Sequence, residues 1–172
     1  MMKDDTSPNN LRADFLEAMS FAAASVCVVT TDGAAGRAGM TVSAMTSVSA
    51  DGDTPTMLIC MNSAATAAPQ LLENKCFCIN VLAQEQSGIS DIFSGRIEAP
   101  DGDKFNAGSW QALATGAPVF MDALASFECH LISAERVGTH HICLGAVQAV
   151  RNSGQGRPLL YGMRSYLRAE NL

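Results

Sequence analysis

An antiparallel β-barrel carrying a few short helices is the fold this chain predicts. Three observations lead there. About seven short apolar runs, rich in β-branched residues, are bounded by Asp, Gly and Pro. Helix-like segments number two or three and do not alternate with the strands in a regular β-α-β order. The 172 residues are 48% hydrophobic and 16% charged, enough for one buried core and unlike a disordered chain.

Taken in order, residues 1–10 read as a flexible leader and residues 11–172 as one domain. Asn9 or Asn10 can cap a helix from about Leu11 to Phe21, with Leu11, Phe15, Ala18, Met19 and Ala22 as its apolar stripe. After Ser25 the period shortens, and "SVCVVTT", "DGAAGRAG" and "MTVSA" read as strand, turn and strand. "TMLICM" is a third strand, "AAPQLLENK" a short helix with Pro69 near its start, and "CFCINVLA" a fourth strand. "QEQSGISDIFSG" suits another short helix with Ile89, Ile92 and Phe93 on one side. Arg96 to Gly116 is irregular, marked by "EAPDGDKF" and "ATGAP". A loop of this length in a compact domain is functional or lies across a partner. "ALASFECHLISAERV" and "HHICLGAVQAVR" form two hairpin-like strands, and "LLYGMRSYLR" is the last strand.

Charge and composition exclude several functions. A net charge of -6 leaves no basic stripe for a nucleic-acid backbone. No apolar run approaches the roughly 20 residues that span a bilayer. The polar start "MMKDDTSPNN" lacks a signal-peptide core, so a cytoplasmic address is the expectation. The six cysteines sit inside apolar runs without a CxxC pair, which reads as core thiols rather than a metal site. Cys76 and Cys78 share one face of their strand.

Chemistry is harder to place. Walker A and Rossmann signatures are absent; Gly33, Gly36 and Gly39, like Gly154 and Gly156, suit plain turns. The stretch "GMTVSAMTSVS" is unusual, because it puts hydroxyls and small side chains between two buried runs. It is either an ordinary exposed hairpin or a wall against which a flat polar ligand lies.

The ordered pieces "FLEAMSFAAASVCVVTTDG", "GMTVSAMTSVS", "CMNSAAT", "FCINVLAQEQSGISDIF", "KF", "ASFECHL", "VGTHHICLGAV" and "PLLYGMRSYL" resemble the flavin reductase-like family. They run from about Leu11 to Leu167. The resemblance implies an FMN-binding split β-barrel, mainly β with short helices, antiparallel and Greek-key-like. It also implies a homodimer with the flavin at its interface.

Carried over residue by residue, Thr41, Val42, Ser43, Ala44, Ser47, Val48 and Ser49 form the wall beside the flavin ring and ribityl chain. Asn62, Ser63 and Thr66, with the free N–H groups of the following helix start, suit the FMN phosphate. Thr66 serves equally as a simple helix cap. Asn80, polar inside an apolar strand, requires a partner, either the flavin or a backbone carbonyl. Phe93 and Tyr166 are aromatic lids over the ring or core residues. His140 falls where the family carries a histidine beside the nicotinamide nucleotide, but Thr139 replaces the usual Asp before it. His141 points to the opposite strand face, and His130 reads as a strand histidine without chemistry. Ala146 stands where the family often has Glu, and "SADGDTP" departs from its Asp-Pro-Pro turn.

The activity implied is hydride transfer from NADH or NADPH to FMN, with FAD as the alternative flavin. The flavin's own electronics perform that step, so no general base is required. Reduced flavin would pass to a partner monooxygenase. The same family holds reductases of corrinoid cobalt in cobalamin synthesis, a second reading. A non-catalytic flavin-binding or storage protein is a third.

Overall fold

The computed structural model describes residues 8–171. The expected flexible leader lies, for residues 1–7, outside the described residues. Helix α1 (Pro8–Ser20) begins three residues before the expected start. Asn9 and Asn10 are therefore inside the first turn rather than capping it, and proline is well tolerated there.

Strands β1 (Ala24–Ser25), β2 (Cys27–Thr31), β3 (Ala38–Val42), β4 (Met45–Ser49) and β5 (Thr56–Asn62) follow. Then come α2 (Ala68–Asn74), β6 (Cys76–Val81) and α3 (Ser87–Ser94). After an irregular stretch, β7 (Trp110–Ala112), β8 (Pro118–Phe120), β9 (Ala125–Val137), β10 (His140–Asn152), β11 (Leu159–Gly162) and β12 (Ser165–Arg168) complete the chain. The predicted antiparallel, mainly β architecture stands, although twelve strands replace the expected seven or so. The predicted final strand is two, β11 and β12, reversed at Met163 and Arg164, whose φ values are 49° and 60°.

Seven strands form one sheet in the order β3-β2-β6-β9-β10-β5-β4, every neighbour antiparallel. β3 and β4 are consecutive in sequence, joined by Ser43 and Ala44 alone, yet occupy opposite margins. The sheet must therefore curl until its margins meet. Its inner face confirms this, because Met40 and Val42 of β3 share a core cluster with Met57, Ile59 and Met61 of β5. Among the described residues no ladder joins β3 to β4 or β5. The barrel is split there, and β3 keeps one unpaired edge.

Period-2 alternation explains both faces. Cys27 and Val29 point into the barrel with Phe77, Ile79 and Cys129. Val26 and Val28 point outward, into a second cluster with Leu82, Phe93, Phe105, Phe120 and Leu159. Each such side chain, nearly free of solvent, contributes about 1.5–3 kcal/mol of transfer free energy. Cys76 and Cys78 do share a face, packed on Ala117 and Val119. Five of the six thiols are buried, as expected for core thiols; Cys60 is half-buried.

The irregular stretch after Arg96 is exposed over its first residues and packs back on the barrel at Phe105 and Trp110. Trp110 stacks on Phe120 with ring centroids 4.7 Å apart and touches Phe93 and Phe105 at 5.2 Å. Its aromatic residues Phe105 and Trp110 close the second core.

Candidate active site

The split between the sheet margins opens into a cleft of about 630 Å3, within the range of ligand pockets. One wall is β3 and its exit, from Met40 to Ala44; Cys60 and Asn62 of β5 face it. Ala65, Thr66, Phe93, Ser94, Gly95, Lys104 and His140 complete the lining, Thr66 and Lys104 also bordering an adjoining cavity.

Of the residues expected to form the wall, Thr41, Val42, Ser43 and Ala44 line the cleft. The Thr41 hydroxyl donates to Ser90 O at 2.7 Å, so this side chain fastens β3 to α3. Ala44 O accepts from Cys60 N at 2.9 Å, which carries the β4–β5 pairing one residue beyond Met45 to the edge of the cleft. Ser47, Val48 and Ser49 lie farther along edge strand β4, with Val48 exposed. They are not among the residues lining the cleft.

The polar lining differs from expectation in its donors. Asn62 Oδ1 accepts from Ala64 N at 2.9 Å, leaving its NH2 group to face a ligand. Ser63 is committed instead: its N and Oγ both donate to Thr139 O, at 2.9 and 3.0 Å. Helix α2 has only seven residues, Pro69 removes one donor, and Ala67 makes no side-chain cap. Thr66 precedes that cap position and presents its side chain to the cleft instead. The charge comes from Lys104, in the "KF" piece of the irregular stretch, unassigned in the sequence reading. Its Nζ donates to Phe93 O at 3.0 Å, and burial pulls its pKa below the usual lysine range.

Asn80 is not a ligand group. It is fully buried; Oδ1 accepts from Phe120 N at 2.8 Å and Ser126 Oγ at 3.0 Å, and Nδ2 donates to Val28 O at 3.1 Å. The backbone alternative was correct, because the network fills its bonding capacity. Phe93 lines the cleft as a core residue rather than a lid, 1% exposed and edge-on to Phe105. Gly39 makes this possible, since a Cβ there would meet the Phe93 ring at 2.6 Å. Tyr166 is not a lid over the cleft either. It borders a smaller adjoining recess, with its Oη 2.7 Å from Asp91 Oδ1 and 2.9 Å from Ser90 Oγ.

His140 lines the cleft, and His141 alternates to a half-buried position whose Nδ1 bonds no described residue. His130 is exposed on β9.

A flat ring system with a polar tail suits this donor set. Met40, Val42, Ala44 and Phe93 give apolar faces, the β3 edge gives backbone groups, and Asn62, Thr66 and Lys104 add polar donors to the lining. The sequence profile of the "Flavin reductase like domain" family matches residues 19–170. The chain belongs to the flavin reductase like family. It is 44% identical over 154 residues to the FMN reductase (NADH) RutF 1 of Methylorubrum extorquens, spanning 90% of this chain and 75% of that one. Among solved structures, the Streptomyces globisporus NADH:FAD oxidoreductase SgcE6 superposes with a TM-score of 0.85 at 26% identity, covering 99% of each chain. BorF, the flavin reductase component of a bacterial two-component tryptophan halogenase, superposes with a TM-score of 0.79 at 32% identity. That match covers 96% of this chain and all of BorF.

Proposed function

We propose that this flavin reductase like chain is an NADH-dependent FMN reductase whose flavin lies in the split of the barrel. The observation that carries the reading is the cleft itself. An unpaired strand edge lies along one wall, Lys104 brings a cation to the lining, and Asn62 and His140 are cross-strand neighbours at its β5 side.

When bound, the flavin supplies the hydride-accepting chemistry. The chain's contribution is geometric. Met40, Val42, Ala44 and Phe93 would give the flavin ring an apolar surface that excludes water and orients it for a nicotinamide. The β3 edge offers N–H and C=O groups to the ring's heteroatoms. Lys104, Thr66 and Asn62 hold the phosphate end, where an ammonium with no carboxylate bonded to it gains most from an anion. His140 positions the nicotinamide nucleotide. No residue needs to act as a general base.

A homodimer completes this reading. The α1 stripe is exposed, with Leu11 at 73%, Phe15 at 60% and Met19 at 51%. A groove of about 720 Å3 runs from α1 to Ser43, Ala44, Met45 and Thr46, so it abuts the cleft wall. A second copy seated there buries the stripe, covers β4 with Ser47, Val48 and Ser49, and closes the open side of the cleft.

Reduced flavin then passes to an oxygenating partner, in keeping with the two-component relative. No described residue favours a corrinoid acceptor over free flavin. The test is NADH oxidation with FMN supplied in excess over protein. Turnover that rises with free FMN and saturates supports the reading, and a protein that binds FMN without oxidising NADH would make it a storage protein. NADPH in place of NADH, and a cob(II) corrinoid in place of free FMN, settle the two remaining choices in the same assay.

A further inference from the structure

From Ser94 to Ser109 the chain has one fully buried residue, Phe105. The neighbouring Lys104 therefore owes its place in the cleft lining to the way Phe105 is seated. Phe105 meets Phe93 edge-on with ring centroids 5.3 Å apart, and Trp110 at 5.2 Å. Lys104 Nζ is directed over the same group. It donates to Phe93 O at 3.0 Å and lies 5.9 Å from the Phe93 ring centroid.

Trp110, the only tryptophan of the chain, does not line the cleft. It stacks on Phe120 at 4.7 Å and tilts against Phe93 at 5.2 Å. Its backbone is fixed by pairing with Phe120 and by the bond from Met121 N to Ser109 O at 2.9 Å. Gly108 lets the chain return this closely, because a Cβ there would meet the Phe120 ring at 2.7 Å. The indole also carries a cost: Nε1 is buried and has no hydrogen-bond partner among the described residues. Phe or Leu in the same place would leave no such donor unpaired. What the indole adds over them is a ring broad enough to touch Phe93, Phe105 and Phe120 together. Phe93 and Phe105 are the residues that hold Lys104.

We propose that Trp110 is a positioning residue for FMN: it wedges Phe105 against Phe93 and so presets the Lys104 ammonium for the phosphate. A lysine held in place loses little side-chain freedom on binding, whereas one on an exposed loop must be ordered by the ligand. The proposal rests on the reading of the cleft as the flavin site.

Fluorescence titrations of the full chain with FMN, and with riboflavin, which lacks the phosphate, test it. The proteins are wild type, Lys104→Met, Trp110→Leu, Trp110→Phe and the double variant Trp110→Leu/Lys104→Met. Trp110→Leu is expected to weaken FMN about fivefold and riboflavin by less than about twofold. In the Lys104→Met background the same substitution should weaken FMN by less than about twofold, because no ammonium is left to place. Trp110→Phe should fall between wild type and Trp110→Leu, and it decides the matter should Trp110→Leu fail to melt cooperatively. If FMN and riboflavin weaken in parallel, or the two substitutions add, Trp110 is a core residue only and the proposal is overturned. Unchanged FMN affinity in Trp110→Leu overturns it as well. If Lys104→Met binds FMN as wild type does, or wild type binds no flavin, the parent reading fails and takes this one with it.

Discussion

Thr139 Oγ1 lies 3.0 Å from His140 Nδ1. The hydroxyl occupies the place of the expected carboxylate and orients the imidazole without adding charge. The Thr139 carbonyl is in turn fixed by two bonds from Ser63, so β5 and the β9–β10 hairpin hold the ring jointly. His140→Ala is expected to slow flavin reduction by NADH about 10- to 100-fold, and Thr139→Val less, because misplaced reactants lose orientation. FMN affinity should not change in either variant, and His141→Ala should be nearly silent. Stopped-flow reduction beside FMN titration checks this; loss of FMN affinity with normal reduction would assign His140 to the flavin.

Asn80 acts on stability alone. Asn80→Leu leaves Phe120 N and Ser126 Oγ without their buried acceptor, which is expected to cost about 2–4 kcal/mol in urea unfolding. FMN affinity of the folded fraction should be normal. A variant of full stability that no longer binds FMN would return Asn80 to the site.

Lys104 sets a pH dependence. Burial lowers its pKa, so the free protein loses this ammonium at lower pH than an ordinary lysine would. FMN affinity should therefore fall as pH rises toward the usual lysine range, beginning below it. Lys104→Arg, charged throughout, should flatten that fall, and Lys104→Met should weaken FMN about tenfold near neutrality. Isothermal titration across the alkaline range measures both.

The thiols give a chemical footprint. Burial pushes Cys27 and Cys129 up to about 12 and Cys143 to about 11. A raised pKa means that the native state holds protons the unfolded chain has released. Stability from these thiols is thus complete below the unfolded value near 9 and is lost as pH rises toward 11–12. Cys27→Ala should make that alkaline decline in Tm shallower. Cys60, half-buried and lining the cleft, is the thiol that labels in the native state near pH 8, and FMN should protect it. Labelling of Cys60 at the same rate with and without FMN would contradict the cleft assignment.

What could be read from the residues depended on length and on closure. The cores of β2, β5, β6, β9 and β10 are long enough for the alternation of Val, Ile and Cys to declare them. β1, β7 and β8 have two or three residues each, too few to show a period. The α1 stripe was legible as a pattern, but its exposure in one subunit was not, because the pattern does not name the surface that it faces. The hydroxyls and small side chains from Thr41 to Ala44 drew attention to that stretch, the family resemblance made it a wall, and the fold places it along the cleft. Lys104 and Cys60 were missed as site residues, since only the curl of the sheet and the folding back of the irregular stretch bring them to β3. Asn80 misled for the opposite reason: a polar residue in an apolar strand marks a demand for hydrogen bonds, and here Phe120, Ser126 and Val28 meet it.

The central claim is that flavin sits in the split beside Ala44 and accepts hydride there. Anaerobic stopped-flow of FMN-loaded wild type and Ala44→Phe with NADH tests both halves at once. The predicted result is that wild-type flavin bleaches with about one NADH consumed per FMN, the stoichiometry of a two-electron transfer. Ala44→Phe should melt as cooperatively as wild type yet fail to hold FMN, its ring filling the cleft. A folded Ala44→Phe that binds and reduces FMN normally, or wild-type FMN left unbleached by NADH, would contradict it.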